Sequence, residues 1–416
     1  MQKIVIIGAG TGGIMVASQL RKAAKDLEIV LIDPSEKHFY QPAWTLVGAG
    51  TFSMKKTERK TADFIPAGVQ WIKERVAFFH PEQNEIALQS GKKVSYDRLV
   101  VATGLVMEPS WIEGLQESLG KGVVCSNYTD PEHTWKVLQN FKGGNAVFTQ
   151  PTTPIKCGGA PQKIAYLAAD YLKKNGLSAK SNVVFATPGS VLFGVKEIRE
   201  TLQHVVDRYG IHFKPFYAPV KVDGENRKIT FRMVHEHDNQ CVVNEDNELN
   251  EVVTGESFVE MPFDMLHIAP PQAAPKFVRD SVLANENGWL DVDIHSLQHK
   301  RFKNVYGLGD VAALPTAKTG AAIRKQAPVL VDGLLQSLKG QESQKRYNGY
   351  SSCPLVTGYG KMVLAEFNYE GQFTPDPKLK QMLVFDSHKE HWRLWMLKKY
   401  ILPDLYWRKM MRGQQV

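Results

Sequence analysis

The chain opens on KIVIIGAGTGGIMVASQLRKA and continues into LEIVLIDP, and no other stretch limits the possible folds as tightly. The apolar run Ile4 to Ile7 reads as a buried strand, the glycines turn it, apolar residues then recur at helical spacing, and a second apolar strand closes at Asp33. Strand, glycine turn, helix and parallel strand make the βαβ unit that cradles a dinucleotide. Gly8 supplies the tight turn, Gly10 lets backbone approach a pyrophosphate, and Gly13 lets the helix pack on the strand, while the helix N-terminus faces the phosphates. Asp33 stands where an acid takes the hydroxyls of the adenosine ribose.

Two further buried strands end on glycine turns. YDRLVVATG closes on Thr103 and Gly104, and KNVYGLGD closes on Gly309 and Asp310. The combination resembles the two-dinucleotide-domain flavoproteins, in which the ATG stretch returns the chain from the first domain and the GD stretch sets an acid on the flavin ribityl chain. That resemblance implies FAD and an α/β fold with two Rossmann-like dinucleotide-binding domains. The FAD-binding domain would be discontinuous, residues 1–110 joined by 261–330, with a second Rossmann-like domain over 111–260 and a C-terminal quinone- and membrane-binding region over 331–416. Lys318, in PTAKTGAA, would lie beside the flavin ring, where a cation stabilises negative charge on the reduced form.

The α/β pattern recurs in the second domain: NAVFTQP as a strand, APQKIAYLAADYLKKNG as a helix closed by Gly176, NVVFATP as a strand. A pyridine-nucleotide reductase carries a second glycine-rich loop after the first of these strands. Here the turn reads TQPTTPIKCGGAP, in which Pro151 and Pro154 offer no N–H and no glycine pair is placed for pyrophosphate. Thr187 and Pro188 occupy the ribose-binding position, so NAD(P)H is not expected as the electron donor. What replaces the loop is a thiol, Cys157. The start of a helix, with Lys156 and Lys163 close in sequence, favours its thiolate.

Four cysteines, Cys125, Cys157, Cys241 and Cys353, are too few and too scattered for a secreted disulfide scaffold. No Cys or His cluster has metal-ligand spacing. Cys241, in EHDNQCVVNEDNELNE, falls in a polar stretch that reads as an exposed hairpin or loop and receives no role.

HFYQPAWTLVGAG, TTPIKCGGAPQKIAYL, FGVKEI, GLGDVAALPTAKTGAA and YSSCPLVTGYGKMVLAEF are together similar to the sulfide:quinone oxidoreductases, especially the branch that includes the mitochondrial enzyme. The resemblance implies a redox-active pair, Cys157 and Cys353, beside FAD. Sulfide would attack their disulfide or trisulfide, and the sulfane sulfur would leave to sulfide, a thiol, sulfite or cyanide. It also implies Thr11 and Gly12 in the phosphate turn, Gln41 on the cofactor, and a backbone contact from Val76 to the adenine. Cys125 stays open between a sulfur shuttle, a flavin attachment point and plain packing.

The net charge of +8 could signal nucleic acid, but no binding motif accompanies it, and nucleic acid is not expected as a partner. From Asp376 to Val416 there are nine Lys/Arg against four Asp/Glu. Within SHKEHWRLWMLKKYILPDLYWRKMMRG (387–413), Trp392, Trp395, Met396, Tyr400 and Ile401 recur at helical spacing between Lys389, Arg393, Lys398 and Lys399, with Trp407 beyond, and Pro403 is expected to break the segment into two helices. Such a segment lies in a membrane interface. With the NADH site lost, quinone becomes the expected electron sink, and Tyr359, Phe367 and Phe385 are its candidate aromatic walls. No leader or 18-residue apolar span is visible. The expectation is therefore a peripheral protein of the bacterial cytoplasmic membrane, its side unspecified, with a homo-oligomer left open. Two other readings compete: a type II NADH:quinone oxidoreductase and a catalytically silent flavoprotein scaffold.

Overall fold

The computed structural model describes residues 1–234 and 245–414. Cys241 lies outside the described residues.

Five parallel strands form the first sheet, in the order Val305–Gly307, Arg98–Val101, Lys3–Ile7, Glu28–Ile32, Val69–Ile72. Ile4, Val5, Ile6, Leu99, Val100 and Val305 are fully buried, as strands covered on both faces require. The late strand Val305–Gly307 pairs with Arg98–Val101, so the first sheet is assembled from distant parts of the chain. The helix Thr11–Ala23 follows the glycine turn, and the helix Gly320–Leu338 starts at Thr319, whose hydroxyl caps the Ala322 N–H. Ile323, Ala327, Leu330 and Leu334 give that helix one buried face.

A second parallel sheet runs Val124–Cys125, Met265–Ile268, Gly144–Thr149, Ser181–Thr187, His212–Pro215. The expected return to the first unit at 261 comes later, because Met265–Ile268 still pairs with Gly144–Thr149. Gln272–Ala273 then pairs with Val106–Met107, which joins the two crossings between the units. The expected boundary at 330 falls inside the helix Gly320–Leu338, whose apolar face is continuous across it. An antiparallel sheet of Tyr217–Asp223, Lys228–Met233, Phe258–Pro262 and Val252–Gly255 flanks the second unit.

The hairpin Ser351–Gly358 and Lys361–Phe367 packs on the helix Ala160–Lys174, as the shared core of Ile164, Leu167, Leu355 and Val363 shows. The tail then departs from expectation. Trp392–Met396, Leu397–Ile401 and Leu402–Arg408 form one continuous helical run whose middle is a π segment. Pro403 lacks an N–H, but it sits in the first turn of the last segment and the wider π turn before it accommodates the missing bond, so the run does not break in two.

The run also has two faces. Trp392, Met396 and Tyr400, four residues apart, are exposed together with Ile401, whereas Leu394, Trp395, Leu397 and Lys398 turn inward. Trp407 stacks on Phe64 at 5.2 Å between ring centroids and packs against the first core. Among the described residues no helix is long and apolar enough to cross a membrane.

Candidate active site

Four chain segments meet at the carboxyl edge of the first sheet, where open α/β sheets bind ligands. Gly8 adopts φ +102°, and a Cβ there would collide with the Ala102 carbonyl, while one on Gly13 would collide with the Gly8 carbonyl. Gly10, in contrast, faces open space. Gly8 and Gly13 leave no room for a side chain, Gly10 leaves a gap over the turn, and the first N–H groups of Thr11–Ala23 have no side-chain cap. Asp33 accepts from the Ala9 N–H at 2.7 Å and the Ser35 N–H at 2.7 Å, which fixes the acid against the turn. The Thr103 hydroxyl is buried without a protein partner beside Gly104, and Asp310 is desolvated beside Gly309. An orphaned hydroxyl, uncapped N–H groups and a Cβ-free gap fit a phosphate-bearing dinucleotide.

The cysteine turn is held from the other unit. Gln272 takes the Lys156 N–H on its side-chain oxygen at 2.9 Å, and its own N–H donates to the Thr153 hydroxyl at 2.9 Å. The Cys157 N–H donates to the Lys318 carbonyl at 2.8 Å, and the Cys157 carbonyl accepts from the Ala160 N–H at 2.7 Å and the Tyr128 hydroxyl at 3.3 Å. This clamping sustains a left-handed backbone at Cys157, φ +52°, which a non-glycine residue adopts only under constraint. Gln41 accepts from the Lys156 ammonium at 2.6 Å and so ties the first unit to the same turn.

Cys353 arrives on the hairpin strand Ser351–Gly358, paired with Ala365. A Cβ on Gly159 would strike the Leu355 side chain, so the glycine lets this strand pack closely on the cysteine turn. The Cys353 thiol and the Lys163 ammonium, 2.8 Å from the Cys157 sulfur, hold Cys157 well below the ordinary thiol range against the opposing cost of burial. Cys353 moves the opposite way, pushed well above that range by the hydrogen bond to Cys157, burial and the neighbouring thiolate. The buried Lys163 cation thus stands against the Cys157 sulfur, the side of the pair on which negative charge is stabilised. Lys163 is 1% exposed, and it has Lys398 as a second buried cation nearby.

The family description pyridine nucleotide-disulphide oxidoreductase matches residues 2–331. The mitochondrial sulfide:quinone oxidoreductase of Mus musculus is 39% identical over 99% of this chain and 86% of its own length. That of Dictyostelium discoideum is 40% identical over the same shares. The chain belongs to the sulfide:quinone oxidoreductase family. The solved sulfide:quinone oxidoreductase of Aquifex aeolicus shares the fold, with a TM-score of 0.78 at 20% identity, covering 100% of this chain and 92% of that one.

Several residues expected from the family resemblance are placed differently from one another. Lys318 is half-buried, its ammonium donating to the Asp310 carbonyl at 2.7 Å and the Ala312 carbonyl at 3.1 Å, over the Trp289 ring. Burial pushes it down to about 8. Val76 is buried in a separate antiparallel sheet, paired with Leu88, away from the cysteines. Cys125 is fully buried in the second unit's core, and desolvation pushes its thiol up to about 12, which suits packing.

Tyr359 sits in the hairpin turn and Phe367 at the far end of the following strand Lys361–Phe367, which spans about 20 Å at the rise of an extended strand, so the two rings do not stand side by side. Tyr359 is engaged elsewhere, its hydroxyl donating to the Ala49 carbonyl at 2.8 Å, and Phe367 packs edge-on against Phe193. Phe385 is exposed on the surface.

Lys398 is the residue that sequence reading misplaced. It was expected among the lipid-facing cations, yet it is 3% exposed, donates to the Pro42 carbonyl at 3.1 Å, and feels both cysteines. Burial, aided by repulsion from Lys163, pushes it down to about 7. The signal was present: Lys398 lies four residues from the inward-facing Leu394. Because Lys163 touches the Cys157 sulfur directly, Lys163→Met is expected to raise the Cys157 thiol and move the pH midpoint of its alkylation by iodoacetamide upward. An unchanged rate-against-pH curve would remove Lys163 from that role.

Proposed function

We propose that the protein oxidises sulfide to sulfane sulfur at the Cys157–Cys353 pair and passes two electrons through FAD to membrane quinone. The observation that carries this reading is the Lys163 ammonium 2.8 Å from the Cys157 sulfur, in a turn against which the strand carrying Cys353 packs. Gly8, Gly10, Thr11, Gly12, Gly13, Asp33, Thr103, Gly104, Gly309 and Asp310 would hold FAD, with Gln41, Lys318 and the backbone of Val76 at its edges.

The Lys163 ammonium beside the Cys157 sulfur, and not beside Cys353, gives the reaction a direction by stabilising Cys157 as a thiolate. The thiol of lower pKa is the better leaving group in disulfide exchange. HS⁻ therefore attacks the Cys353 sulfur of an oxidised Cys157–Cys353 disulfide, the S–S bond breaks, and Cys157 leaves as a thiolate stabilised by Lys163. The new S–S bond lies between Cys353 and the incoming sulfur, so Cys353 carries the persulfide. A sulfide, thiol, sulfite or cyanide takes the outer sulfur and frees the Cys353 thiolate, which can re-form the disulfide with Cys157 once the electron pair on Cys157 has been taken up; FAD, held by the residues above, would supply that two-electron acceptor. Lys163, Lys398 and Lys156 make the approach cationic, which favours HS⁻ and each anion that follows.

The membrane attachment is peripheral, through Trp392, Met396, Tyr400 and Ile401 on one helical face. Lys389, Arg393 and Lys399 supply positive charge toward anionic lipid. The proposed surface is the cytoplasmic membrane of a bacterium, the named curated relatives being mitochondrial. Sulfide-dependent reduction of a short-chain quinone by purified protein tests the whole scheme: turnover is expected with sulfide, and its absence with a flavin-replete preparation would overturn it.

A further inference from the structure

Tyr406 lies in the segment Leu402–Arg408, 395 residues from Thr11, yet its hydroxyl is 2.7 Å from the Thr11 hydroxyl. The same oxygen is 2.6 Å from Nε2 of His38, and Nδ1 of His38 is 3.2 Å from the Ala9 carbonyl. Its ring is buried against Tyr40 at 4.8 Å and Trp407 at 5.0 Å between centroids.

These contacts fix every proton. A carbonyl only accepts, so the proton of neutral His38 is on Nδ1 and Nε2 must accept. His38 is neutral at pH 7 because burial pushes it down to about 4. Tyr406 therefore donates to His38, and Thr11 donates to Tyr406. The chain of bonds grips Ala9 and Thr11 on either side of Gly10, whose Cβ position has nothing within 4 Å. Two more contacts hold the tail to the same helix: the Ser18 hydroxyl to the Met411 carbonyl at 3.4 Å and the Lys22 ammonium to the Arg412 carbonyl at 2.6 Å.

We propose that Tyr406 is a positioning residue for FAD: it holds the turn Gly8 to Thr11 in its phosphate-accepting shape, so that retention of the cofactor depends on docking of the C-terminal helix. The inference rests on the FAD reading above. It assigns Thr11 a specific part, since its hydroxyl proton is committed to Tyr406 and only its backbone N–H remains for the phosphate.

The test uses full-length holoenzyme, diluted so that released flavin is read by its fluorescence. Tyr406→Phe keeps the ring and removes the hydroxyl, and is expected to weaken FAD binding about tenfold, equivalent to about 1.4 kcal/mol. Thr11→Val should do the same, Thr11→Ser should match wild type, and the double variant should be no weaker than either single one, because the two residues share one bond. Thr11→Val keeps the Tyr406–His38 bond, so its loss of FAD retention marks a role in the turn, whereas a merely structural tyrosine would leave FAD retention in Thr11→Val at the wild-type level. FAD binding as tight as wild type in Tyr406→Phe, or losses that multiply to about a hundredfold in the double variant, would overturn the proposal. If Tyr406→Phe fails to fold, Thr11→Val against Thr11→Ser decides it. A wild-type protein without a flavin spectrum would overturn the FAD reading itself.

Discussion

Replacing Cys353 by Ala is expected to leave FAD bound and still oxidised in the presence of sulfide, with the rate of sulfide-dependent flavin reduction lower by about a thousandfold or more. The reason is chemical rather than structural, since the small, buried side chain leaves little volume behind. Without Cys353 no disulfide exists for HS⁻ to attack, and Cys157 also loses the hydrogen bond that contributes most to its low pKa. Cys157→Ala removes the leaving group and the electron-pair donor together, and should be equally inactive. The two variants separate in one further respect: Cys353→Ala retains Lys163 beside a lone Cys157, whose alkylation should shift to higher pH. Stopped-flow absorbance in the flavin band measures the first effect, and wild-type reduction rates in either variant would exclude the pair.

The second large effect concerns the membrane. Changing Trp392, Tyr400 and Ile401 together to Gln is expected to weaken binding to anionic vesicles by about a hundredfold, which corresponds to roughly 1 kcal/mol of lost interfacial burial at each position. Cosedimentation with vesicles measures it, and added salt should weaken the wild type further by screening Lys389, Arg393 and Lys399. Vesicle binding unchanged in the triple variant would remove this face from the membrane. Point changes are the informative experiment here. Truncation after Asp386 would also delete Lys398 from the cysteine site and Tyr406 from the glycine turn, so its loss of function would have three causes.

The glycine turn, the three glycine-ended strands and Cys157 were legible because each depends on local sequence: backbone freedom, apolar runs and a helix start have signatures within a few residues. The pairing of Cys157 with Cys353 was reached only through family resemblance, because a hairpin distant in sequence brings the second sulfur, and spacing carries no information about that. The tail shows the opposite failure. Its helical periodicity was read correctly, but composition alone assigned all its aromatic and basic residues to lipid. A helix packed on one side must instead divide them, and Trp395, Lys398 and Trp407 went inward. Lys398 in particular was legible only through its four-residue spacing from Leu394 and not from its residue type, since a buried lysine is unfavourable without a neighbouring negative charge to offset its cost. Aromatic content similarly suggested Tyr359 and Phe367 as partners, and the length of one strand separates them.

The central claim, that sulfide and not a nicotinamide reduces the flavin through the cysteine pair, is tested most directly by anaerobic titration of the holoenzyme followed in the flavin absorbance. Sulfide is expected to bleach the flavin fully while NADH leaves it oxidised. Bleaching by NADH with no response to sulfide would contradict the account.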